Sequence, residues 1–210
     1  MRKYLSFVLL GVLSLAGLGA TVVGLVQAQS GTSLGQSVTN TLNSPNYTEH
    51  LAEKTPQGNQ TASLVYQAPD RLGGWLESAG RRTYLVIIGS KEYISVTRPK
   101  KSSGKPLTFY TQQTTGAQAV DPAHNYLPYW NCHGAPKCPT SRSGSVTTVT
   151  LSQGGQTEKL SYTVTGNYVS KFSAVTPGGT IALEISELGT SPDVALPKGS
   201  KVIAFPGQSG

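Results

Sequence analysis

The chain has 210 residues, only 13% of them charged, with a formal net charge of +7 at pH 7. Positive charge this dilute, without the clustered Lys and Arg interleaved with aromatics that a groove for nucleic acid needs, excludes nucleic acid as the expected partner and leaves a general attraction to anionic surfaces such as lipid headgroups. The ten acids and three His are scattered among expected turns and strand ends, and no GxSxG, HExxH, SxxK or phosphate-cradling glycine loop occurs, so an enzyme is not expected.

The first residues set the compartment. Arg2 and Lys3 precede a stretch from Leu5 to Val26 that carries no charge and closes on Val26-Gln27-Ala28. A positive end held on the cytoplasmic side, followed by an apolar segment that partitions into the bilayer, threads the rest of the chain across. Val26 and Ala28 suit a peptidase that accepts small side chains, with Gln29 as the new N-terminus. A cleaved signal has an apolar centre of roughly 7–15 residues and a spanning helix needs about 20, so residues 1–28 suit a signal peptide or a retained membrane anchor. Both place the remainder outside the cytoplasm. No Cys lies near position 28, which excludes a lipidated Cys there.

Residues 29–45 begin as an uncharged Ser, Thr, Gly and Asn linker and carry Leu34, Val38 and Leu42 at helical spacing, which predicts one short amphipathic helix. Residues 46–197 then read as one β-rich domain long enough to hold a core, with residues 198–210 as a tail. Turn chemistry at Pro56-Gln57-Gly58-Asn59, Gly89-Ser90-Lys91, Gly154-Gly155, Gly166-Asn167 and Pro177-Gly178-Gly179 separates the runs.

Pairing across each turn predicts which side chains share a face. A loop at residues 89–92 sets Ile87 opposite Ile94 and Leu85 opposite Val96, giving one aliphatic face; Tyr84, Val86, Ile88 and Tyr93 lie on the other. The run Arg98, Lys100, Lys101 and Lys105 is the densest positive patch, a solvated loop or a contact for anionic headgroups. Phe109 to Trp130 has no sustained period and reads as short helices and loop lying over the sheet, with Trp75, Tyr129 and Trp130 as core or lid residues. Cys132 and Cys138 are the only cysteines. Outside the cytoplasm they are expected to form a disulfide that pins a local excursion. With His124 and His133 they are poorly spaced for zinc, so no metal and no cofactor is expected.

In the C-terminal half a turn at Gly154-Gly155 pairs Val149 with Leu160 on the face of Tyr162. A loop at Thr176–Gly179 gathers Phe172, Ile181, Leu183 and Ile185 and sets Lys171 opposite Glu184. Keeping Tyr162 and Phe172 together calls for a three-residue loop Gly166-Asn167-Tyr168, with Gly166 or Asn167 at positive φ. The outcome is a four-stranded meander with one apolar face that needs cover; the 85–96 hairpin, the short helix and the middle segment are the candidates.

The order of parts, with the phrases Tyr66-Gln67-Ala68-Pro69-Asp70-Arg71, Val86-Ile87-Ile88-Gly89 and Ser186-Glu187-Leu188-Gly189-Thr190, resembles the LolA/LppX/LprG-like superfamily of bacterial envelope proteins over most of residues 34–197. That resemblance implies an α+β fold, mostly antiparallel β: a curved half-open barrel with short helices on its concave side and an apolar cavity for acyl chains, without catalysis. The superfamily's lipidated Cys after the signal is absent here, and the Cys132–Cys138 loop is not part of its pattern. The face assignment makes Leu85, Ile87, Ile94, Val96, Leu160, Tyr162, Phe172, Ile181, Leu183 and Ile185 the expected cavity wall, with a lipid or other apolar ligand as partner, a membrane surface as second contact, and a monomer as the working unit. The alternative is an envelope protein–protein interaction module whose concave side is fully packed.

Overall fold

The computed structural model describes residues 33–96, 98–99, 106–134, 139–153 and 156–205. Helix α1 (Leu34–Leu42) starts where Ser33, in extended conformation, accepts the Gln36 amide on its hydroxyl at 3.2 Å, which satisfies one of the orphan donors of the first turn. It buries Ser37, Val38 and Thr41, the face expected from the spacing of Leu34, Val38 and Leu42.

All thirteen strands among the described residues belong to one sheet. In chain order they are β1 (Asn46–Thr55), β2 (Gly58–Gln67), β3 (Arg71–Ser78), β4 (Arg81–Ile88), β5 (Lys91–Ser95), β6 (Arg98–Pro99), β7 (Thr108–Gln113), β8 (Thr140–Ser143), β9 (Val146–Gln153), β10 (Gln156–Thr165), β11 (Tyr168–Thr176), β12 (Gly179–Ser186) and β13 (Lys201–Ala204). The order across the sheet is β13-β7-β5-β4-β3-β2-β1-β12-β11-β10-β9-β8, with β6 on β4. Two meanders thus meet where β1 pairs with β12. The end strands β13 and β8 do not pair, so the curved sheet stays half open, with α2 (Pro122–Tyr126) and a 3-10 segment (Leu127–Gly134) inserted between β7 and β8. At Gly74 an added Cβ would stand 2.0 Å from the Ser63 carbonyl oxygen of β2, so only glycine permits this approach of β3.

The closing meander forms as the turn chemistry predicts: Leu160 pairs with Val149, and Lys171 with Glu184, whose side chains meet at 2.8 Å. Its middle connection differs. Gly166-Asn167 is a two-residue turn with Gly166 at φ +60°, and the register then shifts between Thr163 and Val164. This bulge still sets Tyr162 opposite Phe172. It also turns Val169 inward, fully buried, and leaves Tyr168 40% exposed, which a three-residue loop would not do.

The β4–β5 connection is tighter than expected. Leu85 faces Ile94 and Ile87 faces Glu92, because the loop is Gly89-Ser90 rather than residues 89–92. A shift of two keeps the face of every side chain, but β5 ends at Ser95, and Val96 is 43% exposed instead of lining the concave side.

Three further expectations are corrected. The 85–96 hairpin lies in the sheet and does not cover it, and Phe109 belongs to strand β7. Residues read as a tail supply β13, which runs parallel to β7. The outer face of β4 is covered too: Val86, Phe109 and Val194 form a second core with Val65, Tyr84, Ile88, Tyr93, Leu107 and Leu196. The coil that carries Val194 is tied down by Gln67, whose side-chain oxygen accepts the Val194 amide at 3.3 Å.

Candidate functional site

The concave side carries the main core. Nine of the ten expected wall residues, all but Val96, are buried there in one cluster: Leu85, Ile87, Ile94, Leu160, Tyr162, Phe172, Ile181, Leu183 and Ile185. They come together because alternate residues of antiparallel strands share a face and the two meanders join edge to edge. Over them lie α1, α2 and the 3-10 segment. Tyr126 of α2 stacks on Phe172 with centroids 6.1 Å apart and planes at 9°, and Phe172 meets Tyr162 at 5.1 Å. The Tyr162 hydroxyl donates to the Leu127 carbonyl at 3.4 Å. Trp130 packs on Gly35 so closely that an added Cβ there would meet the indole at 2.7 Å, which joins the two parts of the cover.

Hydrogen bonds also fix this cover to the sheet. The Val169 amide donates to Thr41 Oγ1 at 2.9 Å, and Asn40 Nδ2 donates to the Asn167 carbonyl at 3.0 Å. A larger polar cluster lies where α2 crosses β1. Asp121, the N-cap of α2, accepts on Oδ2 from the His124 amide at 2.9 Å, the Tyr47 hydroxyl at 2.7 Å and His124 Nδ1 at 2.7 Å. Glu49 Oε2 accepts from the Ala123 amide at 3.1 Å, and the Tyr126 hydroxyl donates to Glu53 Oε1 at 2.6 Å. The Tyr47 ring stacks on Tyr66 at 5.0 Å. Burial pushes the Tyr47, Tyr126 and Tyr162 phenols far up, so all three act as neutral donors.

These acids were not singled out in the sequence, although a signal was there. In β1 the period of two puts Tyr47, Glu49, Leu51 and Glu53 on the inward face. Glu92 is likewise inward and buried, with Gln112 Nε2 donating to its Oε2 at 2.5 Å.

In this form protein side chains occupy the concave side. Two depressions lie elsewhere: one of about 360 Å3 among the turns at Lys54–Pro56 and Thr176–Thr180, and one of about 180 Å3 between β3–β4 and the Val194 coil. Tyr129 and Trp130 pack against the main core, whereas Trp75 faces outward under the Arg82 guanidinium at 3.8 Å. Of the basic run, Arg98 is described only in its backbone, which pairs with Arg82, and Lys100, Lys101 and Lys105 lie outside the described residues. The expected Cys132–Cys138 pairing also lies outside them, since Cys138 is not described and Cys132 only in its backbone. Among the described residues no group of His, Cys, Asp and Glu could hold a metal, and no helix is long and apolar enough to cross a membrane.

No protein family and no curated protein matches the chain. Among solved structures, lipoprotein LppX of Mycobacterium tuberculosis is 10% identical, covering 77% of this chain and 96% of its own, with a TM-score of 0.44. LprF from Mycobacterium bovis is 10% identical over 77% of this chain and 93% of its own, also at 0.44. PNGF-II is 11% identical over 76% of this chain but 31% of its own, at 0.27. Similarity this low carries no argument about family, ligand or activity. The chain is thus similar to lipoprotein LppX and to LprF.

Proposed function

We propose that the protein is a non-catalytic, extracytoplasmic binder of a lipid-like ligand whose acyl chain enters between the apolar concave face and its helical cover. The observation that supports this reading is the mismatch between the two layers. Among the described residues, a face built from both meanders is closed by a nine-residue helix, a five-residue helix and a 3-10 segment, all of them short. Ten buried methylenes contribute about 8 kcal/mol, whereas displacing one buried aliphatic side chain of the cover such as Leu127 costs about 1.5–3 kcal/mol. Entry of a chain therefore offsets lifting part of the cover. Residues 1–28 support export, and the basic run from Arg98 to Lys105 supports contact with anionic headgroups.

Native mass spectrometry of gently purified protein, with lipid extraction and titration of a fluorescent fatty-acid analogue, tests the reading. Co-purifying lipid or micromolar probe binding is expected. A reproducibly ligand-free protein with no affinity for acyl probes ends it. The packed state of the concave side favours a second reading, an envelope interaction module that works by protein contacts. That reading predicts the ligand-free result, together with a monomer that captures no lipid from anionic vesicles.

A further inference from the structure

The polar cluster between α2 and β1 contains two buried oxygens without a hydrogen-bond partner among the described residues: Glu49 Oε1 and Asp121 Oδ1. Both residues are fully buried. Each carboxyl has its other oxygen bonded, Glu49 Oε2 to the Ala123 amide and Asp121 Oδ2 to three donors. Two carboxylates facing each other in this setting cannot both be ionised, because the repulsion adds to the loss of hydration. One proton between Oε1 and Oδ1 satisfies both oxygens at once. Glu49 is the group that holds it: burial first, and the Asp121 charge second, push its carboxyl well above the ordinary Glu value. Asp121 Oδ2 is already occupied, accepting from the Tyr47 hydroxyl, the His124 amide and the His124 ring.

We infer that Glu49 and Asp121 form a one-proton latch that fastens α2 and the 3-10 segment to the concave face, and that release of this proton to water loosens that cover. Glu49 belongs to the central strand of the sheet and Asp121 opens the cover, so the shared proton bridges the two layers. The titratable groups around Glu49 come from every element packed there: Tyr47 and Glu53 from β1, Tyr66 from β2, and Asp121, His124 and Tyr126 from α2. The neighbouring β12 presents Leu183 and Ile185, which add no charge. With the proton gone, two anions face each other without a donor between the free oxygens, and separation of α2 from β1 lets water reach them.

The sign follows from linkage. A group whose proton is held more tightly in the folded state contributes fully below its unfolded value, 4.5 for Glu, and that contribution falls as the pH rises towards the folded value. Within that window the folding equilibrium weakens by up to about tenfold per pH unit.

The test compares the wild type with Glu49→Gln across pH 4.5–9 in ligand-free protein, by urea unfolding and by amide exchange expressed as protection factors. A Gln amide donates to Asp121 Oδ1 and accepts from the Ala123 amide, but does not titrate. The wild type is expected to lose protection in residues 121–131 before β10–β12 as the pH rises, with a falling unfolding midpoint, and the variant is expected to lose that slope. A slope carried by any other group survives the substitution, so an unchanged slope in Glu49→Gln overturns the latch. A 13C titration of the Glu49 side-chain carboxyl in the wild type settles the matter should the variant not fold: a midpoint near 4.5 also overturns it. None of these readouts uses a lipid, so failure of acyl-probe binding leaves the latch untouched and failure of the latch leaves probe binding untouched.

Discussion

Replacing Phe172 with Ala tests whether the concave side is packed on itself. Phe172 is 2% exposed and lies between Tyr126 of the cover and Tyr162 of the sheet. Truncating a buried Phe to Ala costs about 3–5 kcal/mol through lost transfer energy and the cavity left behind. Each aromatic contact is worth about 0.5–1.5 kcal/mol, largely counted already within that range, so a loss near 4 kcal/mol is expected. Against a typical domain stability of about 5–15 kcal/mol, the variant keeps its fold with a much lower midpoint. Urea unfolding followed by tryptophan fluorescence reads the change, with an unchanged m-value showing that the transition is comparable. Val175→Ala is the control from the same strand: its side chain is 55% exposed, and a change within about 0.5 kcal/mol is expected. A Phe172→Ala loss under about 1 kcal/mol would refute the packed interior and imply space beside the ring. If the acyl-ligand reading holds, the space vacated by the ring also raises affinity for a fatty-acid probe.

Thr41→Val keeps the shape of the side chain but leaves the buried Val169 amide without its acceptor, so a loss of about 1–3 kcal/mol is expected in thermal unfolding, with Thr41→Ser close to wild type. Gly35→Val drives a side chain into the Trp130 indole. A cost of about 1–3 kcal/mol from overpacking and a red-shifted Trp130 emission in a Trp75→Phe background are expected. The Lys171–Glu184 pair is well exposed, and a double-mutant cycle should return less than about 1 kcal/mol. Hydrogen bonding from Lys171 holds the Glu184 carboxyl below its usual value, so this small contribution is present above the unfolded value and lost as the pH falls through the folded one. Cys132 and Cys138 are expected to resist alkylation until reduced, read by intact mass before and after a reductant.

The closing meander was legible in the sequence because its cause is local. Turn residues set the loop lengths, and the period of two then gathers Leu160, Tyr162, Phe172, Leu183 and Ile185 on one side, with Lys171 and Glu184 as a check on register. The same logic found α1 and placed nine of the ten residues expected on the inner face in the buried cluster. It failed at Val96, since Gly89-Ser90 closes a shorter loop than residues 89–92, and at the bulge, since an extra residue in β11 satisfies the same face constraint as a longer turn.

What the sequence by itself determined is therefore the alternation along each strand and the short turns between them, interactions whose partners lie a few residues apart. Tertiary structure alone decided the pairing of β1 with β12, the parallel addition of β13 to β7, the outer cover supplied by Val194, and the meeting of Glu49 with Asp121. Those contacts join residues far apart in the chain, and their free energy arises only when separate segments exclude water from the same space, which no local pattern of side chains encodes.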